Sequence, residues 1–128
     1  MAVDGAGNLY FIDSGRIRKV SPSGIITTVA GGGTLAGSSA DGGPAAAAQI
    51  SPEGVAVDSA GNLFIAEGSR VHKVSTNGII STIADFGPAG SSGAQYANSV
   101  AVDGAGNVYV ADPVNSVVRI LRPIGGSF

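Results

Sequence analysis

A twelve-residue segment that occurs three times constrains the fold of this chain more than any other feature. Six of its first seven positions are identical in all three copies. The copies start 54 and 45 residues apart, a spacing typical of proteins built from repeated structural units. The copies are AVDGAGNLYFID at residues 2–13, AVDSAGNLFIAE at 56–67 and AVDGAGNVYVAD at 101–112.

Each copy opens a unit of short β-strands separated by tight turns. Runs of β-branched and aromatic residues alternate with clusters of Asp, Asn, Ser and Gly, as in strands joined by hairpins. The second strand of each unit is apolar on both faces, which indicates a strand packed between two layers. We predict four strands in each of the first two units. The third unit has three, because its last residues show no clear fourth strand.

Four short antiparallel strands in a unit of 45 residues indicate a β-propeller blade. We therefore predict an all-β fold with about three blades, the last one incomplete. A parallel β-solenoid is the main alternative, but it uses shorter repeats and few hairpins. The predicted boundaries are 1–30 for the first blade, 31–54 for an inter-blade loop, 55–84 for the second blade, 85–98 for a linker and 99–128 for the third blade.

The inter-blade loop contains a segment of helix-forming composition, in which Pro44 precedes four alanines and Gln49. Because Pro suits the first helical turn and Ala is the best helix former, we predict a short helix from Pro44 through Gln49. Such a helix needs packing to be stable. A flexible low-complexity loop is the alternative interpretation.

Several of these runs resemble the NHL repeat, and the resemblance covers essentially the whole chain. They are GVAVD at 54–58, GNLFIAE at 61–67, RIRKV at 16–20, and DGGPA at 41–45 followed by Gln49. The resemblance implies a propeller, usually six-bladed, with the first strand of each repeat nearest the axis. It also implies a role in presenting protein-interaction surfaces. The chain departs from the pattern in having about three blades, a shortened first strand and no clear last strand.

Three blades do not close a ring, because propellers usually have four to eight. The outer faces of the first and last blades would then be open and apolar. We expect a homodimer that closes a six-bladed ring, since the same end surfaces then meet twice. Met1 takes the place of Val55 and Val100 in the later copies, so we expect that the chain starts inside a repeat, as a fragment would.

The first turn of each unit carries an Asp and a Gly at fixed positions. The Asp is expected to accept hydrogen bonds from backbone N–H groups two or three residues on, and the Gly to adopt positive φ. A ring of carboxylates on one face is the functional alternative. We assign a structural turn role to Asp4, Gly7, Asp58, Gly61, Asp103 and Gly106.

Three further acids, Asp13, Glu67 and Asp112, end the second strands. They are expected near the axis on the face opposite the first turns, and a dimer would place six acids around that mouth. Oxygen ligands suit Ca²⁺ or Mg²⁺. Acids on separate blades are expected to lie too far apart to share one ion. We predict instead that they stabilise the second hairpin, with Arg16 or Arg70 as partners.

His72 is the only histidine, and it aligns with Arg18 and Arg119 in the third strands. A position shared with two arginines predicts a solvent-facing side chain rather than a catalytic one. A general base needs a partner and a pocket near the axis. The remaining cations of the third strands are expected to lie on a solvated face.

Composition excludes several kinds of site. The chain has no Cys, so it has no disulfide, thiolate metal site or thiol nucleophile. Its net charge of −2 disfavours a nucleic-acid surface. No apolar run approaches the roughly 20 residues of a membrane helix. No phosphate-binding, dinucleotide-binding or zinc-protease motif is present.

These observations favour a non-enzymatic propeller module that binds a protein partner and itself. We expect no catalytic residues, no metal site and no cofactor, and no contact with nucleic acid or membrane. The alternatives are a fragment of a propeller enzyme, of the lactonase or lyase kind, a ligand-binding propeller, and an RNA-binding propeller. All three are less favoured, the first because the histidines of such sites are missing. The sequence leaves the cellular compartment open.

Overall fold

The computed structural model describes residues 1–36, 41–68, 70–85, 99–113 and 116–123. In these residues the chain forms three antiparallel sheets in succession and one small parallel sheet. Strand order within each antiparallel sheet follows the chain, as expected when tight turns join neighbouring strands.

The first sheet, blade 1, consists of β1 (Ala2–Val3), β2 (Leu9–Asp13), β3 (Arg16–Val20) and β4 (Ile26–Gly31). The second, blade 2, consists of β7 (Gly54–Val57), β8 (Leu63–Glu67), β9 (Arg70–Val74) and β10 (Ile80–Asp85). The third, blade 3, consists of β11 (Ser99–Val102), β12 (Val108–Asp112) and β13 (Val117–Leu121). The parallel sheet pairs β5 (Leu35–Ala36) with β6 (Ala48–Gln49).

The predicted all-β fold of propeller blades is confirmed. Blades 1 and 2 have the four strands that the sequence predicts, and the described part of blade 3 has three. The predicted ring closure stays a prediction. The proposed linker at 85–98 falls almost wholly outside the described residues.

The inter-blade connection differs from its prediction. The helix is a single 3-10 turn over Ala45–Ala47 and does not reach Gln49. Ala48 has an extended backbone, with φ −78° and ψ 145°, and it pairs in parallel with Leu35. One helical turn is too short to be stable alone, so the following residues gain more from strand pairing. The sequence did not indicate this pairing, because both strands are only two residues long.

The connection packs against the last strand of blade 2. The backbone N–H of Ala45 donates to the carbonyl of Gly78 at 2.7 Å. Ile80 donates to Gly43 at 3.1 Å and accepts from Gly42 at 2.8 Å. The connection therefore extends the sheet edge of blade 2, and the side chains of Ala45 and Ile80 share one apolar cluster.

Two apolar clusters lie on the two sides of blade 2. One joins blade 1 to blade 2 through buried side chains that include Tyr10, Ile17, Leu63 and Ile65. The other joins blade 2 to blade 3 through Phe64, Ala66, Val71, Val108 and Val110. Because successive strand residues point to opposite faces, the apolar β8 supplies side chains to both clusters. Blade 2 is thus covered on both faces, as expected for its second strand.

The glycine of the first turn gives a direct test of the turn assignment. Gly61 has φ 92°, a conformation that L-residues rarely adopt, and Gly104 in the third copy does not. We expect Gly61→Ser to lower the free energy of unfolding by about 1–2 kcal/mol. Gly104→Ser is the matched control, because repeat two already carries Ser59 there and no atom would lie within 4 Å of the added Cβ. Urea unfolding measures both; equal effects would contradict the assignment.

Candidate functional site

The first turn of each blade is held by one aspartate. Oδ1 of Asp58 accepts hydrogen bonds from the N–H of Ala60 at 3.0 Å and of Asn62 at 2.8 Å. Its other oxygen accepts from the side-chain amide of Asn62 at 2.9 Å. The bonds therefore reach two and four residues along the chain, one residue further than the predicted range. Asp4 and Asp103 make the same set of bonds.

A tyrosine adds one more bond to this turn in blades 1 and 3. The hydroxyl of Tyr10 donates to Asp4 at 3.0 Å, and that of Tyr109 donates to Asp103 at 3.0 Å. Burial raises the pKa of Tyr10 to about 12, and the hydrogen bond to Asp4 acts in the same direction. Blade 2 has Phe64 at this position, so its turn lacks the phenol.

The three glycines of these turns, Gly7, Gly61 and Gly106, have φ between 87° and 92°. With the aspartates they form the same turn in each blade, and the three turns do not combine into one site. Among the described residues, no group of three or more His, Asp or Glu side chains is arranged to hold a metal ion.

The strand-end acids each meet a basic group of their own blade. Asp13 lies 3.0 Å from Arg16, the predicted partner, and 3.9 Å from Arg18. Asp112 lies 3.3 Å from Arg119. The structure does not bring the acids of different blades together, and in each blade a residue of the third strand is the partner.

Glu67 has a different partner from the expected Arg70. Its Oε2 lies 2.5 Å from Nε2 of His72, and its Oε1 accepts from the N–H of Ser51 at 2.9 Å. Burial favours the neutral acid, but the bonds from His72 and Ser51 and the charge of Arg70 outweigh it. The pKa of Glu67 therefore lies below its ordinary value. Arg70 itself pairs with Asp85 at 3.3 Å.

The prediction that His72 faces solvent is wrong. The residue is only 3% exposed and lies on the face of blade 2 that meets blade 1. The alignment with Arg18 and Arg119 is real, but the position lies on the face that meets the preceding blade in blades 2 and 3. The arginine side chains are themselves only 26% and 29% exposed.

His72 belongs to a polar row across the sheet. Its Nδ1 lies 3.3 Å from Oγ1 of Thr82, and that hydroxyl lies 2.9 Å from Oδ1 of Asp41 in the connection. Blade 1 has an equivalent row, in which Arg18 donates to Thr28 at 2.7 Å. Sequence analysis missed these links. The available indication was that Thr28 and Thr82 stand at matching positions of the repeat.

Each blade has two distinct faces. We call the face that carries the strand-end acid the leading face, because in blades 2 and 3 it packs on the preceding blade. The opposite face is the trailing face. The leading face of blade 2 includes Val55, Leu63, Ile65, Glu67, His72 and Val74, and its trailing face includes Ala56, Phe64, Ala66 and Val71.

Exposure of the strand-end acid follows the cover on its leading face. The side chain of Asp112, between blades 2 and 3, is 1% exposed, and that of Glu67 is 22% exposed. Asp13 on blade 1, whose leading face no described blade covers, is 38% exposed. The acid–base pair is thus an element of the junction between blades.

Two faces are left uncovered in the described chain. On the leading face of blade 1, Val3 is 62% exposed and Ile26 is 52% exposed. On the trailing face of blade 3, Val118 is 65% exposed and Ile120 is 46% exposed. Val118 also lines a shallow depression of about 150 Å³ with Tyr109. These two open faces form the candidate functional surface.

A separate cleft of about 410 Å³ lies between blades 1 and 2 beside the connection. Tyr10, Lys19, Val29, Pro44 and Asn77 are among its lining residues. Among the described residues that line it, Lys19 is the one charged side chain, and no His, Asp or Glu faces it. The cleft therefore brings together no acid–base pair. None of the described segments forms a helix of the length and apolarity that a membrane crossing requires.

Residues 36–92 match the sequence profile of the Teneurin NHL domain, which is less than half of the chain. The predicted resemblance to the NHL repeat is confirmed. No curated protein matches this chain.

Solved structures share the fold of these blades. A structural-genomics protein of unknown function from Bacteroides thetaiotaomicron superposes with a TM-score of 0.68 at 22% identity, over 89% of this chain and 32% of its own. A streptogramin B lyase gives 0.66 at 18% identity, over 94% and 35%. Virginiamycin B lyase from Staphylococcus aureus gives 0.60 at 13% identity, over 98% and 41%. The chain spans between about a third and two fifths of these proteins, and the likeness shows the propeller fold alone.

The turn carboxylates lead to a pH prediction. Hydrogen bonds from Asn8 and Asn107 hold the pKa values of Asp4 and Asp103 below the ordinary 3.8. Their ionised forms therefore stabilise the fold above about pH 4, and this contribution is lost as the pH falls through the lowered pKa. We expect the stability difference between the wild type and Asp103→Asn to shrink from pH 6 to pH 3 in urea unfolding. A difference that is constant with pH would contradict this role.

The buried histidine leads to a second prediction. His72→Ala removes the imidazole contacts to the carboxylate of Glu67 and the hydroxyl of Thr82. The free energy of unfolding should therefore fall by about 1–3 kcal/mol. Lys73→Ala is the control, because Lys73 is adjacent in β9 and points to the other face. Thermal or urea unfolding measures both. A fully stable His72→Ala variant would show that the row does not contribute to the fold.

Proposed function

We propose that the chain is a non-enzymatic propeller module that acts through protein contacts, first of all with a second copy of itself. The observation that carries this proposal is the pair of open blade faces. Each exposes apolar side chains whose counterparts in the covered blade are buried: Val118 is 65% exposed, whereas the matching Val71 of blade 2 is 0% exposed.

Burial of these side chains supplies the driving force for association. A fully buried Val, Leu, Ile or Phe side chain contributes about 1.5–3 kcal/mol relative to an exposed one. Each open face carries several such side chains, and an exposed apolar surface of this kind is typical of an interaction site. The three blades of the described residues also fall short of the four to eight with which propellers close, whereas two copies together supply six.

The polar groups support a structural role over a catalytic one. Asp13, Glu67 and Asp112 each engage a basic group of their own blade, and the turn aspartates bind backbone amides. An enzymatic function would need reactive groups that converge on one cavity. The blade 1–blade 2 cleft shows no such convergence in its described lining. The lyases among the similar structures therefore support the fold and leave the activity as a weaker alternative.

The experiment that tests the proposal is the solution mass of the 128-residue chain. We expect sedimentation equilibrium at micromolar concentrations to give twice the 12.4 kDa of one chain, with dissociation on dilution. A well-folded monomer over the whole range would overturn the proposal. It would indicate instead that the open faces are covered by further blades in a longer protein.

A further inference from the structure

Resting on this proposed self-association, we infer that two copies join head to tail. The open leading face of blade 1 packs on the open trailing face of blade 3 of the second copy. The same junction then forms twice and closes the ring. This pairing is distinct from one in which two leading faces or two trailing faces meet.

The two junctions between blades inside the chain show which faces pack on each other. In each, the trailing face of one blade meets the leading face of the next. Ile17 of blade 1 is buried with Ile65 of blade 2, and Val71 of blade 2 is buried with Val110 of blade 3. No junction within the described chain joins two leading or two trailing faces.

The open face of blade 1 repeats the leading pattern of blade 2. Leu9 and Val20 are cross-strand partners, as are Leu63 and Val74. Phe11 stands opposite Arg18, in the place where Ile65 stands opposite His72. In blade 2 these apolar positions are at most 3% exposed, whereas in blade 1 they are only half-buried.

The open face of blade 3 repeats the trailing pattern of blade 2. Ala111 pairs with Val118, in the place where Ala66 pairs with Val71. Tyr109 stands in the place of Phe64 and pairs with Ala101, as Phe64 pairs with Ala56. Ala66 and Val71 are fully buried against the leading face of blade 3. The same residue types on the trailing face of blade 3 are therefore suited to pack against another leading face.

The charged groups favour the same pairing. On the leading face of blade 1, Asp13 pairs with Arg16 and Arg18. When a junction covers this carboxylate, its charge is therefore already balanced within blade 1. Asp112 is covered in this way, with Arg119 beside it. The strand positions of the blade 3 trailing face are Ser99, Ala101, Tyr109, Ala111, Val118 and Ile120, none of them charged. Two leading faces would instead place like pairs against each other across a two-fold axis.

The experiment uses one disabling substitution on each face. Phe11→Asp replaces an apolar side chain of the leading face with a charged one, and Val118→Asp does the same on the trailing face. Head-to-tail pairing needs one intact face of each kind, so neither variant can form a junction with itself. We expect each variant alone to be monomeric by sedimentation equilibrium. An equimolar mixture should form a heterodimer through the one remaining good junction.

That heterodimer should dissociate at a concentration at least about tenfold higher than the wild-type dimer, because the second junction of the ring is lost. Ile26→Asp is a second leading-face variant at an exposed position and serves if Phe11→Asp does not fold, as judged by circular dichroism. Ile25→Asp is the control; Ile25 is 62% exposed and precedes β4, outside its pairing register, so this variant should stay dimeric.

The outcomes separate the two proposals. A monomeric wild type overturns the proposed self-association itself. A dimeric wild type of which either single variant remains dimeric overturns head-to-tail pairing, because contacts between like faces are lost in only one of the two variants. Monomeric variants whose mixture also stays monomeric overturn it as well. A mixture that associates where neither variant does supports it.

Discussion

The structure depends on stacking of sheets that are apolar on both faces. A blade with one apolar face could rest on a single neighbour, but β8 places Leu63 and Ile65 on one side and Phe64 and Ala66 on the other. Such a strand is stable only between two layers. Blade 2 has both layers, and its four central residues are at most 3% exposed. Blades 1 and 3 have one layer each. The proposed interaction surface therefore consists of the two faces that lack a second layer among the described residues.

The acid–base pairs show how charge is accommodated in such a stack. A buried carboxylate without a partner is costly, because its charge loses the stabilisation of water. Every strand-end acid here has a basic group within its own blade, so it can be covered without help from the neighbour. Asp112 is 1% exposed beside Arg119, whereas Asp13 in the same kind of pair is 38% exposed. The burial of the acid thus depends on whether another blade covers its face, whereas its ion pair forms with or without that cover.

The repeat predicted most of the fold, because strand runs, turn residues and period are all local properties of the sequence. The eleven blade strands of the described residues and the bonding role of Asp58 in its turn follow from the copies themselves. The environment of His72 did not follow. Alignment with two arginines shows that the positions are equivalent, but whether a blade covers them depends on tertiary packing. The bond from Thr82 to Asp41 spans 41 residues, and no local pattern indicates such a contact.

Equivalent positions with different residues also show what the repeat requires and what it tolerates. The third strand has Arg18, His72 and Arg119 at one position, and each meets a carboxylate of the second strand. The requirement is a basic partner on the leading face. The smaller imidazole of His72 meets the longer Glu67, whereas both arginines meet aspartates. A shorter basic side chain is thus compensated by a longer acidic one, and the ion pair is kept. A leading face defined by shape and by internally balanced charge suits a trailing face of the same form, and on this physical basis we propose a second copy as its occupant.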